Sequence, residues 1–390
     1  MKEIFITFIL SCLLFGCAAT DVTPVNKGFA LVEEEKILWR QSEESQETFK
    51  KSDMLYDNPE LTAYINEVAA RLWPENITLQ DQLTLDVLVI KNPLLNAITY
   101  PNGKIYIHTG ILARMENEAQ LATLLAHEMS HAIHRDSLTS YRDLKNKTAI
   151  LSTMGVVASG FGSYGDLAYM VGSIGVVSSI YGYSKGLEEQ ADRFGLNRMY
   201  VAGYDPNEAP KLFSMMQRWL EINDIDEPFF FGTHPKLQDR INSYNFLLAN
   251  QFKGLTGKVN GLVYQEKIKE VILLNAALNI KAGRFKVAEQ DIWTYLDRQN
   301  ESAEAFYLLG EICTQNETDE DTHKAVEFYT YAIHLDPNYP DPHRELGIIA
   351  FKQDRMDDAE KYFTSYLNLA PNAIDRGYLE ENLKTIRGEN

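Results

Sequence analysis

Cysteine is nearly missing from this chain of 390 residues, which holds only Cys12, Cys17 and Cys313. Three thiols cannot build a disulfide framework, so stability has to come from buried cores, and 390 residues suffice for two of them. Basic charge is also in deficit. Thirty-seven Lys and Arg face 55 Asp and Glu, a formal net charge of -18. That balance argues against nucleic acid as a partner, because phosphate contacts need a basic surface, and against anionic headgroups held by a basic face. Long apolar runs are scarce as well. One spans Ile4 to Leu14, too short to cross a bilayer and placed where a secretory signal carries its apolar core. A second stretch, 148–183, is rich in Gly, Ala, Ser, Val and Ile but is interrupted by Asp166, and reads as a packed helical insert or amphipathic flap. It contains Gly160-x-Gly162-x-x-Gly165, which follows no strand and so marks no dinucleotide site.

The first apolar run ends in Leu14-Phe-Gly-Cys17, which resembles the lipobox of bacterial lipoproteins. The resemblance implies a signal peptide over 1–17, a lipid on Cys17, a tether over 18–30 and attachment to a membrane facing the periplasm. Ala18, rather than Asp, after the lipidated residue implies the outer membrane if the host sorts lipoproteins as enteric bacteria do.

Beyond the tether, Asn58 is placed to cap a helix with Pro59 in its first turn, and Tyr64, Ile65, Val68, Ala69 and Leu72 give it one apolar stripe. Strand-like alternation covers Leu83 to Ile90. Two more strands, Ala97–Thr99 and Lys104–His108, flank the turn residues Pro101-Asn-Gly103 and predict a hairpin. A long helix is expected to start after Gly110 and to carry Leu121, Leu124, Leu125 and Met129 inward.

That helix contains His127-Glu128-Met-Ser-His131. Histidines four apart share one helical face, so both imidazoles can reach one metal ion. Glu128, next to the first of them, can polarise a water instead of binding metal. An apolar run leads into the motif, and burying such groups without a task is costly. Catalytic zinc needs a third protein ligand and an open position. His134 and Ser137 stand where the extended metzincin pattern wants Gly and His, so the ligand comes from elsewhere. Glu188 is the leading candidate, with Asp192 one turn on to hold a ligating histidine by its free ring N–H, and the adjacent Glu189 is the alternative.

H-E-x-x-H followed by E-x-x-A-D resembles the peptidase family of HtpX and the CAAX prenyl endopeptidases, and within it the soluble BepA-type periplasmic proteases. The resemblance runs from about residue 30 to 250. It implies a zincin-like fold, one zinc per chain and Glu188 as third ligand, because the family's ligand lies four residues before the Asp. Asn96-Ala97 and Pro101 to Gly110 resemble the family's edge-strand segment, where a substrate adds as a strand. Thr233-His234-Pro235 with Arg240 resembles a segment whose His approaches the metal, which implies that His234 or Arg240 stabilises the oxyanion. Asp136 departs from the family, standing where relatives often have His. His108 and His134 are expected to be structural and surface residues.

From about residue 265 the pattern becomes repetitive. Ala325/Ala359, Tyr329/Phe363 and Pro337/Pro371 are each 34 apart, and Gly310/Gly347 open equivalent segments with three residues inserted. This period resembles the tetratricopeptide repeat, with a degenerate unit around Ala276, Gly283 and Ala288 and a capping helix over 374–387. The expected whole is mainly α, of α+β kind: a metallopeptidase domain over 31–250 with a small sheet, then an α-helical repeat solenoid over 265–390. Its expected activity is zinc-dependent cleavage of misfolded or partner polypeptides in the cell envelope, with clients recruited by the repeats and the membrane reached through a lipid anchor. The alternative is an envelope scaffold or chaperone with a latent metal centre.

Overall fold

The computed structural model describes residues 22–26, 29–75, 77, 83, 85–153, 183–224, 237–298, 301–315 and 318–389. Cys17, the signal peptide, His234 and residues 154–182 of the small-residue stretch lie outside the described residues. The fold is mainly α, with 15 helices and one three-stranded sheet among the described residues. The chain divides into two compact units, Met1–Lys267 and Ile268–Asn390.

In the first unit α1 (Glu33–Lys51) and α2 (Pro59–Leu72) precede the sheet. Asn58 caps α2 by accepting from the Leu61 N–H at 3.0 Å, and the stripe from Tyr64 to Leu72 is buried. The sheet comprises β1 (Asp86–Ile90), β2 (Ala97–Thr99) and β3 (Lys104–His108) in the order β1-β3-β2. β2 and β3 form the expected antiparallel hairpin, while β1 runs parallel to β3, a pairing that local pattern did not indicate. β2 therefore lies at a sheet edge.

The single helix expected after Gly110 is two helices, α3 (Thr109–Arg114) and α4 (Glu118–His134). Asn117 makes the break by accepting from the Gln120 N–H at 2.9 Å, which supplies a fresh N-cap where a continuous helix would have run on. α4 is buried along nearly its whole length and packs on β2, on α2 and on α6 (Lys185–Val201). α5 (Asp136–Thr153) follows α4 after one residue, Arg135, whose φ of 60° turns the chain. α7 (Glu208–Ile222) and α8 (Leu237–Asn250) complete the surroundings of α4 and α6.

α9 (Gly261–Lys281) begins in the first unit and ends in the second. The second unit continues with α10 (Phe285–Arg298), α11 (Ala303–Cys313), α12 (Asp319–Leu335), α13 (Pro340–Lys352), α14 (Met356–Leu369) and α15 (Arg376–Arg387). α11 pairs with α12 and α13 with α14 through the same device. A Cβ on Gly310 would sit 2.3 Å from the Tyr329 ring, and one on Gly347 would sit 2.5 Å from the Phe363 ring. Each glycine admits an aromatic ring against its helix backbone.

Candidate metal centre

α4 and α6 cross where Gly195 faces His127. A Cβ at Gly195 would lie 3.1 Å from the His127 backbone nitrogen, so the missing side chain sets how closely the helices approach. That approach brings Glu188, in the first turn of α6, to the two histidines of α4. His127 Nε2 lies 3.1 Å from His131 Nε2 and 3.4 Å from Glu188 Oε2, and His131 Nε2 lies 3.7 Å from Glu188 Oε1. Donor atoms at about 2.0–2.1 Å from a tetrahedral zinc are separated by roughly 3.3 Å, so the three side chains fit one such ion. All three are no more than 1% exposed. They form the one group of metal-capable side chains found among the described residues. Glu189 is half exposed and pairs with Lys185, away from the cluster.

Behind each histidine stands a carboxylate. Asp192 Oδ1 is 3.0 Å from His127 Nδ1, and Asp136 Oδ2 is 2.7 Å from His131 Nδ1. With the ring N–H on Nδ1 donated to its carboxylate, each Nε2 turns a lone pair to the cluster, the tautomer a metal requires. Burial works against the Asp192 carboxylate, but the Arg240 charge and the His127 contact outweigh it and hold it down to about 2. Burial pushes Asp136 up to about 7. For His127, burial and Arg240 disfavour the charged ring, yet Asp192 and Glu188 outweigh them and raise it to about 9. Two carboxylates thus favour positive charge at this position.

Arg240, named with His234 as an oxyanion candidate, contacts Asp192. Its Nη2 is 2.5 Å from Asp192 Oδ1, and it stacks over the Phe213 ring at 4.0 Å. It therefore lies on the Nδ1 side of His127, away from the face that the Nε2 atoms share. Tyr244 donates to the same Asp192 oxygen at 2.7 Å.

Glu128 is 2% exposed, and Thr99 on β2 donates its hydroxyl to Glu128 Oε2 at 2.7 Å. The sheet edge and the acid are thereby joined. Asn96 and Ala97 lie on the same edge; Ala97 is buried and pairs with Ile107, and the Asn96 carbonyl accepts from the His108 N–H at 3.0 Å. A cleft of about 440 Å³ between α6 and α8 is lined by Glu188, Asp192 and Arg240 with Lys185, Asp239 and Phe246. His108 is buried at the end of β3, and burial lowers it to about 4. Sequence reasoning assigned no role to Thr99, to Asp136 or to Tyr183, whose ring stacks on His131 with centroids 3.9 Å apart. Thr99 was recognised only as a strand residue, and nothing local linked it to Glu128.

Residues 57–245 match the model of peptidase family M48. Over these residues the chain is similar to the M48 peptidases. The match spans both histidines, Glu188, Asp192 and Arg240. Curated relatives agree with it. The chain is 24% identical to the beta-barrel assembly-enhancing protease of Escherichia coli (strain K12) over 230 residues, covering 58% of this chain and 46% of that protein. It is 27% identical to the beta-barrel assembly-enhancing protease of Yersinia pestis over 208 residues, 51% of this chain and 41% of the relative. It is 29% identical to the mitochondrial metalloendopeptidase OMA1 of Schizosaccharomyces pombe over 180 residues, 46% of this chain and 51% of the relative. The match thus spans about half the length of these relatives or less. No helix among the described residues is long and apolar enough to cross a membrane.

Proposed function

We propose that this protein is a zinc-dependent endopeptidase of the bacterial cell envelope, cleaving misfolded or partner polypeptides. The observation that carries the reading is the His127, His131 and Glu188 cluster, with spacings that suit one tetrahedral ion. Those three side chains would hold zinc, and Glu128, adjacent on α4, is the base. Zinc, when bound, supplies Lewis-acid polarisation of the scissile carbonyl. Glu128 takes the proton of the attacking water and passes it to the leaving amine, and Thr99 fixes the carboxylate for both transfers. β2, ending at Thr99, is the edge on which a substrate adds as a strand, with Asn96 and Ala97 at its head. The oxyanion role is assigned to His234 or Arg240, on the resemblance of Thr233-His234-Pro235 and Arg240 to the family's segment. The paired helices of the second unit are read as tetratricopeptide repeats that recruit clients, and Cys17 as the lipid anchor holding the protein in the periplasm at the outer membrane.

A scaffold with a latent metal centre is the second reading, and the burial of the cluster favours it: His127, Glu128, His131 and Glu188 are each at most 2% exposed. The two readings part in one experiment on the full chain, with reduced, carboxymethylated casein as probe. About one zinc per chain is expected, lost in Glu188→Gln and retained in Glu128→Gln. Glu128→Gln is also expected to cut hydrolysis by roughly 10²–10⁴-fold. A Glu128→Gln protein that keeps its biological role favours the scaffold, and a wild type that takes up no zinc rejects the enzyme.

A further inference from the structure

We propose that Asp136 is a positioning residue for His131, fixing the ring that presents Nε2 to the metal; this rests on the reading of His127, His131 and Glu188 as the metal site. In an unbroken helix a residue five positions on lies about 140° around the axis and cannot reach back to its predecessor's ring. Here the helix is broken. Arg135 adopts φ 60°, and the reversal brings Asp136 Oδ2 to 2.7 Å from His131 Nδ1.

That turn is costly for a residue other than glycine and persists only where its surroundings over-determine it. The surroundings do so. The Arg135 guanidinium is held by both oxygens of Glu35, at 2.9 and 2.5 Å, donates to the Thr23 carbonyl at 3.0 Å, and covers the Phe29 ring at 5.1 Å. Val25 adds a backbone bond to the Ile133 carbonyl at 2.8 Å. The first described residues of the chain therefore fasten the turn that delivers Asp136.

His131 is then fixed on two sides. Asp136 accepts a hydrogen bond from its Nδ1–H, and Tyr183 stacks on its ring at 3.9 Å with 19° between the planes. Asp136 is 1% exposed, a place where a carboxylate is expensive unless a donor meets it. Outer carboxylates of this kind orient ligating imidazoles and raise their basicity, and losing one weakens metal binding by about 10–100-fold.

The test is zinc affinity of the full chain, measured by competition with a chromophoric chelator, for wild type, Asp136→Asn and Asp136→Ala. Melting of the zinc-free proteins is followed in parallel. The amide oxygen of Asn still accepts from Nδ1 but carries no charge, so we expect about tenfold weaker binding for Asn and about a hundredfold for Ala. Zinc-free Asp136→Asn should melt with wild type. A purely structural role would lower melting without that graded loss. Wild-type affinity in Asp136→Asn, within twofold, overturns the assignment, and this arm decides alone if Asp136→Ala fails to fold. A wild type that takes up no zinc overturns the metal-site reading itself, and this assignment with it.

Discussion

His127 and Arg240 meet on one oxygen of Asp192, at 3.0 Å and 2.5 Å respectively. The same oxygen accepts from Tyr244 at 2.7 Å, and the ring nitrogen of His127 lies 2.8 Å from the guanidinium. The two groups approach that closely because both face one carboxylate. The arrangement makes Asp192 a hub between the His127 imidazole and a buried cation.

Removing Arg240 should therefore damage stability and metal retention together. Arg240→Ala leaves the Asp192 charge buried without its main counter-ion, a loss of roughly 3–5 kcal/mol. Arg240→Lys keeps a charge but not the planar fork that meets both Asp192 oxygens, and should recover only part of it. Urea denaturation and zinc content measure the two effects. A variant with wild-type stability and full zinc, and a lowered kcat alone, would place Arg240 at the oxyanion.

Much of the centre was readable because it depends on local spacing. Histidines four apart on a helix share a face whatever the rest of the chain does, and Asn58 announces the start of α2 from its own neighbourhood. The pairing of Gly310 with Tyr329 and of Gly347 with Phe363 was partly open to reading, since the aromatics recur 34 apart and the glycines 37 apart, with three residues inserted between the first pair. What could not be read depends on remote meetings or on backbone reversals. β1 pairs in parallel with β3 across the intervening β2, and no local alternation specifies that partner. Thr99 reaches Glu128 across 29 positions. Asp136 reaches His131 only because Arg135 turns left-handed, and arginine carries no signature for that conformation. The side of the imidazole that Arg240 takes is set by how α8 packs against α6, which no local spacing specifies.

Two glycines of α6 give an internal control for the helix crossing. A methyl on Gly195 must press the His127 backbone, which cannot yield as a flexible side chain would, while a methyl on Gly186 meets nothing within 4 Å. Gly195→Ala should cost about 1–3 kcal/mol by overpacking and weaken zinc, because pushing α6 outward withdraws Glu188 from the histidines. Gly186→Ala should leave zinc unchanged and gain up to about 1 kcal/mol from helix propensity. Thermal melting with chelator competition checks both. Equal behaviour of the two variants would mean that the crossing does not set the ligand geometry.

The second unit should carry a pH dependence of its own, centred on Glu345. Burial, reinforced by the Glu311 charge, raises this carboxyl from 4.5 to about 7, although Arg344 contacts it and pulls the other way. A raised carboxyl binds its proton more tightly in the folded chain than in the unfolded one. Its contribution to stability is therefore greatest below pH 4.5, falls as pH rises through the window to about 7, and is constant above it. Glu345→Gln removes the titration while keeping the shape. The variant should exceed wild type by on the order of 1–3 kcal/mol at pH 8 and lose that advantage at pH 4.5. Scanning calorimetry of both full-length proteins at the two pH values gives the difference directly, with the effects of every other carboxylate cancelling. Curves that stay parallel across the window would show that Arg344 fully compensates the buried charge.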